Sequence, residues 1–279
     1  MKAPLISIVI ANYNYGHFIE DAIRSVIMQD GFDECELIVV DGGSSDNSVE
    51  VIKKYADKIA WWVSEKDKGQ SDAFNKGFAK VRGRFGCWLN ADDLLLPGTL
   101  DAVLKTVEVN PQVEWITGGS VFFKADLKVW RACSGTCVTR SMLKWVDSTV
   151  IGGPSSFFSI ARLRSVGGFD TNLHYTMDCA LWNRFLGIGM MITHVHRYFW
   201  GFRIHSMSKT SHSIGGCRNP DFEAEAMRVD AMRPPYHGIF RSRVLALRVR
   251  KLINGCFFKS CFDTLRWRGK SIAKIGVEI

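Results

Sequence analysis

The feature that most limits what this chain can fold into is an alternation. Short apolar runs rich in isoleucine and valine end in polar turns, and each turn leads into residues with helical spacing. Residues 5–11 read as a buried strand, followed by the turn NYNYGH. Over 18–29, Phe18, Ile19, Ala22, Ile23, Val26 and Ile27 share one helix face. Residues 37–40 read as a second strand, stopped by Asp41-Gly42-Gly43, and Asp46 or Ser48 is placed to cap the next helix. A strand at 60–63, a helix capped by Ser71, a strand at 86–89 and a helix over 97–109 led by Pro97 repeat the pattern. Such alternation predicts an α/β fold, with a mostly parallel central sheet and helices on both faces.

The order changes after Pro111. Residues 113–117, 121–124, 127–131 and 155–160 read as strands, 177–186 as a helix and 190–204 as a long apolar run. The expected division is a core over 1–215, in two halves at 1–110 and 111–215, and a basic helical extension over 216–279. The basic charge belongs to the end of that extension and says little about the core. The net charge is +8, and residues 239–279 hold ten Lys or Arg against Asp263 and Glu278, so the first 238 residues are balanced. The eight cysteines are scattered, with Cys133 and Cys137 the only close pair before the tail. No second pair completes a zinc spacing, and the first apolar run is too short for a membrane span and lacks a signal-cleavage region. The expectation is reduced thiols in a cytoplasmic protein.

Three strand ends carry acids or amides: Asn12 to Asn14, Asp41 to Asp46, and Asn90 to Asp93. In open α/β sheets ligands bind beyond the carboxyl ends of the strands, so these turns point to one polar crevice. No G-x-G-x-x-G follows the first strand, which argues against a dinucleotide cofactor. Asp92 and Asp93 are adjacent acids after a buried strand. They repel each other unless a cation lies between them, and a hard divalent metal bridging to a diphosphate would supply it. Asp41 is placed to accept hydrogen bonds from a base or ribose.

Six segments then resemble the family-2 inverting glycosyltransferases of the GT-A fold: ISIVIANYNYGHFIEDAIRSVIMQ, ELIVVDGGSSDNSVEVI, SEKDKGQSDAFNKGFAKVRG, CWLNADDLLLPGTL, GGFDTNLHYTMDCALWNRF and FRIHSMSKT. The resemblance spans roughly residues 5–210 and is closest to bacterial enzymes that assemble capsule, O-antigen or exopolysaccharide units. It implies a nucleotide-sugar-binding half over 1–110 and an acceptor-facing half over 111–215. It also implies a nucleotide-sugar donor, a UDP-sugar by expectation, and a glycan or lipid-linked glycan acceptor. Donor contacts are implied at Ala11, Tyr13, Asp41, Lys68, Asp72, Asn90, Asp92, Arg203 and Lys209. Mn2+ or Mg2+ is implied at Asp92, Asp93 and His205, with Asp93 the expected direct ligand. The family often has Asp where this chain has Asn90. Asp178 matches the catalytic base, and the second acid common in relatives is replaced by Cys179 and Ala180. A carboxylate there can take the proton that an attacking hydroxyl must lose.

Two other functions fit the sequence less well. A nucleotidyltransferase needs a glycine-rich basic loop near the first strand, and ANYNYGH supplies none. A non-catalytic carbohydrate-binding or scaffold protein is disfavoured by intact Asp41, Asp92, Asp93 and Asp178. In the tail, basic residues alternate with large apolar ones, which suits either an anionic membrane surface at the cytoplasmic face or packing on the core. No nucleic-acid reader motif accompanies the charge, so nucleic acid is not expected. Trp61, Trp62, Trp88 and Trp182 are expected in the core.

Overall fold

A computed structural model describes residues 3–135, 151–209, 220–231, 249 and 251–275. One sheet of nine strands organises them, ordered β3-β2-β1-β4-β8-β6-β9-β5, with β7 paired to β6 off this path. The strands are β1 (Ile6–Asn12), β2 (Cys35–Asp41), β3 (Trp61–Ser64), β4 (Phe85–Asn90), β5 (Leu94–Leu95), β6 (Trp115–Lys124), β7 (Val129–Cys133), β8 (Ser156–Ser159) and β9 (Ile192–Ile204). Following the pairings, β1, β2, β3, β4, β6 and β9 run one way and β5, β7 and β8 run against them. The sheet is therefore mostly parallel by strand direction, and its carboxyl edge collects the ends of β1, β2, β4 and β9.

Both faces are covered because the strands are apolar on both sides. On one face Ile6, Ile8, Ile10, Leu37 and Val39 pack against α1 (Ile19–Ile27), α2 (Ser48–Lys54) and α4 (Thr99–Val109). On the other, Val9, Ile38, Val40, Trp88 and Phe158 pack against α3 (Gln70–Phe78), α5 (Ile160–Ser165) and α6 (Met177–Gly187). This second core is aromatic. Trp182 stacks on Trp88 at 5.3 Å and lies 4.7 Å from Trp115, with Phe158 and Phe185 at its edges. Trp61 and Trp62 are only partly buried, because β3 is the edge strand.

Several local expectations change for physical reasons. The two strands expected at 113–117 and 121–124 are one, β6, because Gly118-Gly119 is not a turn. A Cβ at Gly118 would lie 2.4 Å from the Phe199 ring, so the glycine admits β9 at close range. Ser71 does not cap α3. Gly69 stands at that cap with φ +115, and the Ser71 hydroxyl instead donates to the Leu173 carbonyl at 3.2 Å. Pro97 precedes α4, whose cap is Gly98 at φ +73. The two-residue strand β5, unread in the sequence, lies between the acid pair and α4.

The extension is neither separate nor one continuous helix. α7 (Pro220–Ala231) buries Val229 in the aromatic core. Gly255, at φ +69, precedes α8 (Cys256–Trp267), which lies along β7. Ile272 then completes a third apolar cluster with Leu94, Val121, Phe123 and Val129. The rest of the amphipathic stretch, including Phe240, Val244, Leu245 and Leu247, lies outside the described residues, as does Cys137. The six described cysteines are free thiols. Among the described residues no helix is long and apolar enough to cross a membrane.

The stacked tryptophans fix α6, and α6 carries Asp178. Trp182→Ala should cost about 3–5 kcal/mol of stability, as large aromatic truncations in packed cores do. Urea denaturation monitored by fluorescence checks this; a loss under about 1 kcal/mol would mean that the site collapses around the deletion.

Candidate functional site

A cavity of about 620 Å³ opens at the carboxyl edge of the sheet. That volume suits a ligand of cofactor size. Ala11, Asn12 and Tyr13 from the end of β1, Gly42 and Gly43 after β2, and Asn90, Ala91 and Asp92 after β4 form one side. Lys66, Asp67 and Gln70 lead into α3, while Gly153, Pro154, His174, Tyr175, Asp178 and Lys209 form other walls. Two glycines lie at points of close approach. A Cβ at Gly42 would sit 2.6 Å from Asp67 Oδ2, and one at Gly153 2.6 Å from Trp88 Cζ2.

The acid pair is held by the far end of the chain. β5 pairs antiparallel with β9, Leu94 opposite Gly201 and Leu95 opposite Trp200. That pairing lays Arg203 and His205 against Asp92 and Asp93. The Arg203 backbone N–H donates to Asp93 Oδ1 at 3.0 Å, its Nε donates to the Asp92 carbonyl at 2.8 Å, and its guanidinium meets Asp21 at 2.8 Å. Phe18 and Phe123 flank that guanidinium, 4.7 and 5.0 Å from its carbon. Asn90 Nδ2 donates to Asp93 Oδ2 at 2.8 Å, and Asn90 Oδ1 accepts from Gln70 Nε2 at 2.6 Å.

Asp93 is 1% exposed. Burial, and then the charge of Asp92, push its carboxyl well above the usual carboxylate range, against hydrogen bonds from Arg203 and Asn90. Asp92 reaches the cavity, and its Oδ2 lies 2.8 Å from His205 Nε2. Tyr15 crosses the His205 ring edge-on at 5.6 Å, and its phenol is raised to about 12 by burial, then by Asp92 and Asp93.

Asp178 stands in the first turn of α6 with its Oδ1 accepting from the Cys179 N–H at 2.7 Å. The loop leading into it is pinned by Glu225 of α7. Glu225 accepts from the backbone N–H groups of His174, Tyr175 and Thr176 and from the Thr176 hydroxyl, at 2.6–2.9 Å. Burial raises the Glu225 carboxyl, but these bonds outweigh it and hold the group below its ordinary value.

Residues 7–160 of the chain match the family described as Glycosyl transferase family 2. The chain belongs to that family. It is 27% identical over 223 residues to an uncharacterized glycosyltransferase of Rickettsia typhi, a match covering 76% of this chain and 68% of the relative. It is 25% identical over 185 residues to the poly-beta-1,6-N-acetyl-D-glucosamine synthase of Staphylococcus epidermidis, covering 63% of this chain and 44% of that one. Its fold is similar to that of S. aureus TarS 1-349 in complex with UDP-GlcNAc, with a TM-score of 0.63 at 14% identity, over 85% of this chain and 69% of that one. The mannosyltransferase PcManGT from Pyrobaculum calidifontis, solved with GDP-Man and Mn2+, gives a TM-score of 0.56 at 18% identity, over 83% and 70%. Both likenesses are of the GT-A fold, and the protein is a glycosyltransferase.

The cavity brings together Ala11, Tyr13, Asn90, Asp92, Asp178 and Lys209 from the residues expected in the sequence. It does not reach the others. Asp93, the expected direct metal ligand, lies behind Asp92 as a buried acceptor, and Asp92 is the acid of the pair that lines the cavity. Arg203 is a clamp on the acid pair and makes no wall of the cavity. His205 is not itself a wall of the cavity but lies against two residues that are, Asp92 and Tyr15.

Asp41 is fully buried, and its two oxygens accept from Asn12, from the Ser44 N–H and hydroxyl, and from Ser64. A carboxylate offers about four lone-pair directions, and all are taken within the protein. Burial raises the Asp41 carboxyl, yet these bonds hold it below its ordinary value. Asp41 thus fixes the loop that carries Gly42 and Gly43. Lys68 and Asp72 bond each other, Lys68 N–H to Asp72 Oδ2 at 3.0 Å, and the turn at Gly69 presents Lys66, Asp67 and Gln70 in their place. Lys209, on the rim, has its ammonium lowered by the surrounding protein against the pull of Asp67, Glu225 and Asp92.

A second group, His194, His196 and Cys256, brings its ligand atoms within 4.8 Å of one another, but none of the three lines the cavity.

Glu225→Gln would turn an amide NH2 toward backbone donors. The variant should lose about 1–3 kcal/mol at neutral pH. Because the folded Glu225 value is depressed, its contribution is fully present above the ordinary 4.5 and fades as pH falls through the folded value. Denaturation of parent and variant at several pH values checks this; a pH-independent gap would contradict the carboxylate's role.

Proposed function

We propose that this chain transfers a sugar, with inversion, from a UDP-sugar to a hydroxyl of a glycan or lipid-linked glycan in surface-polysaccharide assembly, working in the cytoplasm with Mn2+ or Mg2+. The observation that carries the proposal is one cavity with Asp92 on one wall, backed by its buried partners, and Asp178 on another at the start of α6. The relatives support the donor class: TarS was solved with UDP-GlcNAc, and the S. epidermidis relative is named for an N-acetylglucosamine polymer.

The residues fit a hard divalent cation. Two carboxyl groups are buried side by side, and the Asp92 oxygen and His205 nitrogen converge at 2.8 Å. Neighbouring ligands of an octahedral ion with bonds of about 2.1 Å stand about 3 Å apart. Asp92 would hold the ion, with His205 as the second donor or as the group that aims Asp92. Such an ion, when bound, offsets charge on a leaving diphosphate.

The remaining chemistry belongs to this chain. Asn12, Tyr13, Lys66 and Asp67 surround the donor with polar groups near the strand ends. Asp178 accepts the proton of the acceptor hydroxyl as its oxygen attacks the anomeric carbon. The bond from that carbon to the diphosphate oxygen breaks, and its electron pair leaves with the nucleotide. Lys209 on the rim adds positive charge beside the leaving group.

Asp178→Asn keeps the shape and removes the proton acceptor. Transfer should fall roughly 10²–10⁴-fold while UDP affinity barely moves. Parental turnover in that variant would assign the proton to another group. Chelation with EDTA should abolish transfer, and Mn2+ or Mg2+ should restore it. Asp92→Asn should erase the gain in UDP affinity that Mn2+ gives the parent. Full turnover in chelator would remove the metal from this account.

A further inference from the structure

The last described helix is amphipathic in the reverse sense of a soluble protein's helix. α8 meets the body through buried Cys256, through Trp267, which crosses Tyr198 edge-on at 5.3 Å, and otherwise through polar contacts. Ser260 Oγ accepts from the Ser134 N–H at 2.9 Å, and Thr264 Oγ1 accepts from the Ala132 N–H at 3.0 Å and donates to its carbonyl at 3.2 Å. Asp263 accepts from the Tyr198 hydroxyl at 2.7 Å and from Lys259 at 2.8 Å. The opposite side presents Phe257, Phe258, Phe262 and Leu265, which are 46%, 62%, 64% and 80% exposed. Leu252 and Ile253, just before the helix, are 43% and 78% exposed. A surface helix ordinarily turns its apolar stripe inward. A contiguous exposed apolar face of this kind marks an interaction surface.

We propose that this face of α8 docks on an anionic lipid surface. The aromatic and leucine side chains enter the boundary between headgroups and acyl chains. Arg266, Arg268, Lys270 and Lys274, all exposed, face the lipid phosphates. Charge decides the occupant. The described residues 251–275 hold Lys251, Lys259, Arg266, Arg268, Lys270 and Lys274 against the single acid Asp263. A second copy of the chain would bring an equal positive charge to the same face and be repelled, whereas an anionic bilayer attracts it. Such docking would hold the cavity near an acceptor borne on lipid, but the inference does not need the transferase reading.

The test is co-sedimentation of the full chain with vesicles of phosphatidylcholine alone or with added phosphatidylglycerol, at low and high salt, without donor or acceptor. Binding should require phosphatidylglycerol and should persist in part at high salt. The charge variant Arg266→Glu/Arg268→Glu/Lys270→Glu should bind roughly a hundredfold more weakly. The apolar variant Phe258→Ser/Phe262→Ser/Leu265→Ser should lose the salt-resistant part and keep the parental melting temperature and UDP affinity. Failure of the full chain to bind phosphatidylglycerol vesicles at low salt would overturn the proposal, as would equal binding to both vesicles. A large fall in melting temperature of the apolar variant would show a face packed on the chain itself. Conversion of a dimer to a monomer would show a self-association surface. Either result would also overturn it.

Discussion

The site depends on one short pairing, the two residues of β5 against β9. Without it, the turn after β4 would leave two adjacent acids at the mouth of a parallel sheet with nothing behind them. The pairing puts an arginine backbone N–H on one acid, its guanidinium on the other's carbonyl, and a histidine on the remaining oxygen. Burying a carboxyl without partners would be prohibitive, and here Asp93 has them while Asp92 is left at the cavity. The arrangement separates two residues that look equivalent in sequence into a structural acid and a cavity acid.

The same logic applies to Asp178. A carboxylate in the first turn of a helix is ordinarily just a favourable charge at the dipole. What distinguishes this one is how firmly its surroundings are set. Stacked tryptophans lock α6 from below, and Glu225 fixes the entering loop from the side. Positioning of this kind is how a base is kept within reach of an acceptor proton.

Much of this was legible in the sequence. The parallel half followed from the alternation of apolar runs with helical spacing, and the crevice from three polar strand ends. Trp88 and Trp182 lie in the core as expected. What stayed illegible was long-range. No local pattern shows that Arg203 faces inward to the acid pair, because that follows from a two-residue strand too short to read. Nor does it show that Asp41 spends its lone pairs on Asn12, Ser44 and Ser64. Nor does any local pattern show that Lys68 and Asp72 lie outside the cavity while Lys66, Asp67 and Gln70, around the turn at Gly69, line it. Glu225 lies some fifty residues beyond the loop it holds, inside a segment that composition had assigned to the tail. The glycine pair at 118–119, which falls between two expected strands, is a packing device inside one strand.

The central claim is that Asp92 is the cavity-facing acid that carries the metal and diphosphate, with Asp178 across from it. Co-crystals with a UDP-sugar and Mn2+, measured at the manganese absorption edge, test it most directly. The account predicts one anomalous peak in direct coordination with an Asp92 oxygen and with the diphosphate, and the sugar's anomeric carbon facing Asp178. A donor bound in the cavity with its diphosphate away from Asp92, or a manganese peak elsewhere, would contradict it.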